Sequence, residues 1–569
     1  MDDARVNDPR PRRFYSAFPL ALGLLAAFAL WLAVTRIYQV DEAQNLYMAK
    51  VIARGQTGTY FSAALLWMLG PLSWLIRAVG DSASLFLAVR LLSFGVFCLN
   101  IGLLALATGA PLRSTPGRVA LLGAATLAPL WDYGFEFRHD NLILAGLLLI
   151  WWLGRVRAQG LGAFAAIGFI TAVLVFTAGK AFAYVLPLSG ALALCSPIGR
   201  GRRLRLLAVW VGGAVAGVGI VLLAYRLAGL WDVFLAGLPG GGNAVAVAKA
   251  TQFGPGIALA RLPAQAPLLL GLAAGALLAL GYGFARERGR ALAWDGYAPE
   301  AALALGALGL LWVNPTPFPY NLVNVVPFLF LLGFRFAAPQ CRDLLDRPKL
   351  LALVAGVVLF THVVPFAMAT WRHLDWPNDR QVRLMRAAEA LTDPARDPVY
   401  DGTGMVPTRE TIGYQWYLHS LNMQAMVAGK VPSVAEMLAR KPAPVLIRNY
   451  RSDWLPESDQ RFIAEHYIPL ADDFSVLGQV LPAGGGSYAV LHAGRYRVYG
   501  MAEGGLRELP EATVDGQPAG ERPVELAEGL REVRCPQDVS PVVLWVGPNL
   551  RSIPDLGDGD HRRLFVNWY

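Results

Sequence analysis

Long apolar runs separated by short polar loops fill roughly the first 370 residues, and the pattern changes abruptly over the last 200. The runs predict membrane-crossing helices at 15–35, 83–108, 118–136, 141–155, 161–178, 181–197, 206–227, 264–284, 299–313, 320–337 and 349–370. Crossing the hydrocarbon of a bilayer takes about 20 largely apolar residues. The shorter runs, and pairs such as 161–178 and 181–197 with almost nothing between them, must sit within a bundle. There, neighbouring helices satisfy backbone groups that the turns set free. The expected fold class is therefore a polytopic α-helical membrane protein of about 11 spans over residues 1–370.

The tail has a different rhythm. Residues 371–486 alternate short β-rich runs (VYDG, PVLIRNY, FSVLGQVL) with helical ones (SVAEMLARK, DQRFIAEHY), which predicts an α/β domain. From 487 to 569, runs such as YAVLHA, RYRVYG, PVELAEG and PVVLWVG separated by turn residues predict a small all-β unit. Its Tyr496, Tyr499, Trp545, Trp568 and Tyr569 either fill its core or stack on sugar rings.

Charge orients the bundle. Arg10, Arg12 and Arg13, then Arg113 and Arg118, Arg155 and Arg157, Arg200 to Arg205, Arg286 to Arg290, and Arg342 to Lys349 occupy alternate loops. The positive-inside rule places these loops in the cytoplasm. Eleven spans then put the C-terminal 200 residues outside, in the periplasm of a bacterium or the lumen of a eukaryote. A bacterial inner (plasma) membrane is the expected setting. The segment 36–82 lies on the outer side and opens with an amphipathic helix. Its run 60–79 is apolar enough to span, but a span there would flip every basic loop, so it reads as re-entrant or interfacial. A second outer loop, about 228–263, is rich in Gly and Pro.

Composition agrees with two regions in two solvents. Of 569 residues, 55% are hydrophobic and only 16% charged, against about 25% charged in soluble domains. The net charge of +9 is accounted for by the arginines of the loops, so nucleic acid is not an expected partner. There are four Cys. Only Cys535 lies in the tail, so the tail holds no internal disulfide, and no Cys/His cluster suggests structural zinc. No metal ligands are assigned, and whether a divalent cation assists is left open.

Candidate chemistry sits at the outer ends of spans. Asp41 and Glu42 follow the first span. A carboxylate there is a general base for a sugar-acceptor hydroxyl, which is a poor nucleophile until it loses its proton. On a helix Asp41 and Glu42 point about 100° apart, so their roles should differ. The stretch FEFRHDNLIL brings Arg138, His139 and Asp140 to the same level. Lys180, in LVFTAGKAFAYVLPL, is costly in lipid and is expected to face a cavity or partner. With Arg138 it is the expected binder of a donor phosphate. Tyr320, Asn321 and Asn324 in NPTPFPYNLVNVVPFL join them, with His139, as candidate substrate contacts. Asp41, Glu42 and Asp140 are the candidate catalytic carboxylates.

VDEAQNLYMAKVIARG, with Asp41, Glu42, Ala49 and Gly55, resembles the first outer loop of the protein O-mannosyltransferase and aminoarabinose-transferase superfamily of GT-C fold. Further matches are VRLLSF at 89–94, Asp140 of RHDN, Lys180 of FTAGK and PYNLVNVVPFLFLL, in order over about 300 residues. The resemblance implies a polyprenyl-phosphate sugar donor, inverting transfer to a glycolipid, glycan or protein acceptor, and Asp41 as the base. The family's His-Pro-Pro-Leu-like stretch is replaced by LLWMLGPLSW. A lipid-linked glycan flippase or transporter, and a carbohydrate-binding membrane protein or sensor, are the other classes a polytopic chain with such a tail fits. A flippase or transporter does not call for an acidic pair followed by a large extracytoplasmic domain, and the cytoplasmic side carries no kinase or signalling motif for a sensor.

Overall fold

The computed structural model describes residues 11–53, 66–157, 160–194, 200–238, 256–287, 296–314, 318–341, 347–413, 417–418, 420–502, 505–547 and 556–566. The chain forms two compact units. One comprises Met1–Arg36, Ser62–Met68 and Val89–Asp375; the other comprises Ile37–Phe61, Leu69–Ala88 and Trp376–Tyr569. Helix Val40–Ala53, after the first span, is thus grouped with the tail.

Helix occupies part of every one of the eleven apolar segments. Among the described residues, six helices are long and apolar enough to cross a membrane: Ala17–Thr35, Ser82–Ala107, Gly201–Leu227, Pro267–Arg286, Pro319–Gln340 and Pro348–Trp371. Leu161–Thr177, Ala181–Leu192 and Ala298–Trp312 are shorter apolar helices. Large apolar side chains, among them Leu223, Leu278, Phe360 and Trp371, stay exposed, as a lipid solvent permits and water does not. The protein is an integral membrane protein.

Within the first unit the segment 118–136 breaks in two, Thr115–Ala125 and Ala128–Tyr133. Pro129 lies in the first turn of the second piece, where its missing N–H costs no hydrogen bond. Helices Leu161–Thr177 and Arg200–Leu227 touch backbone to backbone. A Cβ on Gly168 would collide with the Trp210 carbonyl oxygen, and one on Gly213 with that of Ala165. Small residues at such crossings give van der Waals contact where lipid supplies no hydrophobic drive.

The second unit starts with helix Val40–Ala53. Most of its residues are buried within that unit, so it is a packed helix and does not show the one exposed polar face of an amphipathic helix lying in the interface. Helix Leu66–Ala78 has 13 described residues, about 20 Å of length. Residues 60–65 lie outside the described ones, as do 239–255 of the Gly/Pro-rich loop, which is flanked by helices Trp231–Gly237 and Gly256–Gln265.

The tail carries twelve strands among the described residues: β1 Val399–Tyr400, β2 Val445–Ile447, β3 Tyr467–Ala471, β4 Phe474–Val480, β5 Gly485–Val490, β6 Gly494–Ala502, β7 Gly505–Glu508, β8 Thr513–Val514, β9 Gln517–Pro518, β10 Val524–Leu526, β11 Gly529–Arg534 and β12 Pro541–Trp545. Eight form one sheet, ordered β1-β2-β4-β12-β6-β10, with β3 added on β4 and β7 on β6. β1 and β2 run parallel, and the other pairs antiparallel. The remaining four strands make a small sheet, β5-β11-β8-β9. Position 486, where composition changes from α/β to all-β, therefore lies within one structure, since β4 pairs with β12. All five residues of β12 are buried. Tyr496, Tyr499 and Trp545 are buried as well, so they fill the core; Trp568 and Tyr569 lie outside the described residues. Removing residues 495 onward would take out β6 and β12 from the middle of the sheet, so that cut does not isolate a separate module.

Candidate active site

In the first unit, Gly134–Arg138 turns the chain from helix Ala128–Tyr133 into helix His139–Trp151. Asn141 pins this turn: its Nδ2 donates to the Tyr133 and Glu136 carbonyl oxygens, both at 2.9 Å. Arg138 is the extended residue that launches the second helix. Asp140 then lies in its first turn, where the helix dipole favours a carboxylate. Lys180 occupies a link of three residues between helices Leu161–Thr177 and Ala181–Leu194, closed by the Ala181 N–H on the Ala178 carbonyl at 2.9 Å. The tight linkage expected from sequence is present, and it sets Lys180 against Asp140.

Asp140 is buried and surrounded by basic side chains. Lys180 Nζ lies 2.5 Å from its Oδ1. Arg138 Nε is 3.4 Å and His139 Nε2 3.7 Å from its Oδ2. Arg138 also reaches Glu136 at 3.8 Å, and Glu136 accepts a hydrogen bond of 2.8 Å from the fully buried Arg36. Tyr320, on the 3₁₀ segment Pro319–Asn324, presents its ring to both Arg138 and Lys180. The Arg138 guanidinium lies 3.9 Å and the Lys180 ammonium 5.0 Å from its centroid, geometry in which the ring quadrupole attracts cations. Among the described residues of this cluster, Lys180, Arg138 and Arg36 thus meet the carboxylates of Asp140 and Glu136, with the His139 ring beside them.

The structure brings Arg138, His139, Asp140, Lys180 and Tyr320 together. Asn321 is buried, and its Nδ2 closes the 3₁₀ turn on the Phe318 carbonyl at 3.0 Å. Asn324 is fully buried, and among the described residues its side-chain amide has no hydrogen-bond partner. The Tyr184 hydroxyl, within electrostatic range of Asp140, is likewise buried without one. Glu136 and Arg36 are parts of the cluster that the sequence alone does not single out, although Glu136 stands inside the FEFRHDN stretch.

A further buried group lies on the same short helix. Asp132 is fully buried. It accepts from Gln265 Nε2 at 2.6 Å, pairs with Arg372, and sits 2.8 Å from His373 Nε2. This ties the end of the last span to helix Ala128–Tyr133. The signal in the sequence was TWRHLDW, immediately after the last apolar run.

Asp41 and Glu42 belong to the second unit and lie in the first turn of helix Val40–Ala53. They do differ in environment. Glu42 is buried; its Oε2 accepts the Gln39 N–H at 2.9 Å, and its own N–H donates to the Gln39 carbonyl at 3.0 Å. Glu42 therefore caps the helix from its third position. Asp41 is only partly buried and lies within electrostatic range of Tyr417. Burial is the main cause that pushes the Tyr417 hydroxyl up to about 12, with the Asp41 charge adding to it. Arg451, buried among the rings of Tyr417, Tyr450 and Trp454 at 5.2, 5.8 and 5.9 Å, donates to the Leu418 carbonyl at 2.8 Å. Further along the helix Lys50 donates to the Arg409 carbonyl, and the Thr411 N–H donates to the Tyr47 hydroxyl at 3.1 Å.

One grouping with metal-ligand chemistry occurs among the described residues, Asp472, Asp560 and His561. Both ring nitrogens of His561 are already engaged, Nδ1 with Asp472 at 2.6 Å and Nε2 with Asp453 at 2.8 Å. The grouping thus acts as a fastening for the C-terminal segment.

At the level of sequence, no protein-family description and no curated protein matches the chain. Solved structures do. ArnT from Cupriavidus metallidurans, bound to undecaprenyl phosphate, aligns at TM-score 0.50 and 16% identity over 82% of this chain and 97% of that one. The chain has the GT-C fold. The apo oligosaccharyltransferase of Archaeoglobus fulgidus aligns more loosely, at TM-score 0.47 and 11% identity over 82% of this chain and 73% of that one.

Proposed function

We propose that this GT-C chain is a membrane glycosyltransferase that moves a sugar from a polyprenyl-phosphate carrier to an acceptor hydroxyl on the extracytoplasmic face, with inversion at the anomeric carbon. The observation that carries the reading is the cluster at Asp140, where Lys180 and Arg138 share the Tyr320 ring and, among the described residues of the cluster, lysine and arginine outnumber carboxylates. A desolvated cluster with surplus positive charge is suited to a phosphate ester. The ArnT structure with undecaprenyl phosphate supports a lipid phosphate as that ester.

In this reading the acceptor oxygen attacks the anomeric carbon from the face opposite the phosphate. The bond between that carbon and the phosphate oxygen breaks, and the electron pair leaves with the phosphate. Lys180 and Arg138 neutralise the charge that develops there. Asp41 takes the acceptor proton, consistent with its partial exposure and its place after the first span. Asp140 and Glu136 are assigned to holding the cations. Asp140, counted among the catalytic carboxylates on sequence, is too enclosed by Lys180, Arg138 and His139 to serve as the base. Its burial supports a positioning role instead. The arginine-rich alternate loops support an extracytoplasmic tail, which in a bacterial inner membrane is a periplasmic one.

The test is transfer of a labelled sugar from polyprenyl phosphate by the purified chain in lipid nanodiscs. Release of polyprenyl phosphate together with a new glycosidic bond is the expected result. Binding of the lipid with sugar translocation but no bond cleavage would replace the enzyme with a transporter.

A further inference from the structure

We propose that Gln381 is a positioning residue for Asp41, acting through the Tyr38 peptide; the inference rests on reading Asp41 as the base. Gln381 lies on helix Asp379–Leu391 and is 1% exposed. Its Oε1 accepts the Tyr38 N–H at 2.7 Å. Its Nε2 donates to the Tyr38 carbonyl at 3.0 Å and to the Leu564 carbonyl at 2.9 Å. One side-chain amide therefore grips the backbone of Tyr38 by both its donor and its acceptor, as a neighbouring strand would.

The grip sits three residues before Asp41, and the chain between has little freedom. The Ile37 N–H donates to the Trp376 carbonyl at 2.8 Å. The Tyr38 ring is buried against Phe86, with centroids 4.5 Å apart. Gln39 is held by Glu42 through both its N–H and its carbonyl. The direction in which Asp41 leaves the helix is thus fixed by where Gln381 holds Tyr38. Misplacing a reacting group by about 1 Å costs on the order of 10²-fold in rate.

The third bond of Gln381 gives the grip a second anchor. Leu564 belongs to the C-terminal stretch 556–566. Arg380, the neighbour of Gln381, binds both Asp473 and the Leu556 carbonyl of this stretch. His561 fastens it to Asp453 and Asp472. The end of the chain is thereby coupled, through one buried amide, to the loop that carries the base. A glutamine used only to fill the core would not need all three bonds aligned on two distant backbone segments.

The experiment is sugar transfer from a labelled polyprenyl-phosphate donor by full-length protein in nanodiscs, comparing Gln381→Leu, Asp41→Asn and the double variant. Gln381→Leu should lower kcat by about 10- to 100-fold with the donor KM within about twofold. In the Asp41→Asn background, Gln381→Leu should cause no further loss, because it acts through the group already removed. Gln381→Met keeps the side-chain length, buries no charge and loses all three bonds; it should show the same kcat loss and covers the case in which the leucine variant does not fold. An equal fractional loss in the Asp41→Asn background, or unchanged kcat in a folded Gln381 variant, would overturn the proposal alone. Normal turnover by Asp41→Asn would overturn the base assignment first, and the proposal with it.

Discussion

Lys180 and Asp140 meet at 2.5 Å inside the first unit, with Tyr320 beneath the ammonium and Arg138 on the other carboxylate oxygen. Breaking a buried pair by removing one partner leaves an uncompensated charge, which costs about 3–5 kcal/mol. Lys180→Met should therefore lower thermal stability as well as donor affinity. The two effects separate in the Lys180→Met, Asp140→Asn double variant. Removing both charges should restore the melting temperature while donor affinity stays about 10- to 100-fold down, the worth of one charge-assisted contact. Melting curves and binding of polyprenyl phosphate to the same preparations decide it. Recovery of binding along with stability would show that Lys180 serves only the fold.

Asp140→Asn by itself distinguishes a positioning carboxylate from a base. The asparagine keeps the shape but releases part of the hold on Lys180 and Arg138. Donor affinity should change by less than about tenfold and kcat should fall far less than in Asp41→Asn. A general base contributes about 10²–10⁴ in rate, so a kcat loss of that size at unchanged donor KM would return Asp140 to the catalytic role.

The fold was legible where its signal is local. Apolar runs report lipid burial directly, and helix occupies each of them; FEFRHDN and FTAGK marked costly charges that had to find partners. What pairs with what was not legible. Arg36 and Glu136 are 100 residues apart, and Asp132 and His373 are 241 apart, so neither pairing leaves a spacing or a periodicity in the sequence. The tail shows the same limit. Alternation identifies strands, but β12 slotting between β4 and β6 depends on non-local hydrogen bonds, so a compositional change near 486 read as a boundary. Gln381, in a polar and charged run, looks like any surface glutamine until Tyr38 and Leu564 are brought to it.

Asp41 and Glu42, neighbours in sequence, should respond differently to the same neutralisation. Asp41→Asn should lower turnover by roughly 10²–10⁴ with donor binding intact. Glu42→Gln keeps an oxygen that accepts the Gln39 N–H and should cost little. Glu42→Ala loses the cap and should cost about 0.5–2 kcal/mol of stability, read as a lower melting temperature, with kcat reduced only as far as the helix start shifts. Turnover and melting of the three variants check this. A Glu42→Gln loss equal to that of Asp41→Asn would mean that the cap is also part of the chemistry.

The C-terminal fastening should give the second unit an acid limit. At Asp453 burial pushes the carboxyl up, but hydrogen bonds from His561 and Arg562 outweigh it and hold the group below its ordinary value. At Asp472 burial again works upward, and the His561 backbone N–H at 2.9 Å and the His561 ring bring the net shift down. For a carboxylate depressed in the folded state, the stabilisation is fully present above the unfolded value, about 4, and is lost as pH falls through the folded value. Docking of the stretch 556–566 should therefore hold near neutrality and loosen below about pH 4. Both carboxylates are partly exposed, so solvent screens the contribution and added salt should weaken it. Limited proteolysis of the full-length protein between pH 6 and 3 should show cleavage within the stretch rising on the acid side. In His561→Gln, which removes the bridge between the two aspartates, that cleavage should already be high at pH 6 and change less with acid. Wild-type protection that persists unchanged to pH 3 would mean that Arg380 and Gln381 hold the stretch without help from the histidine.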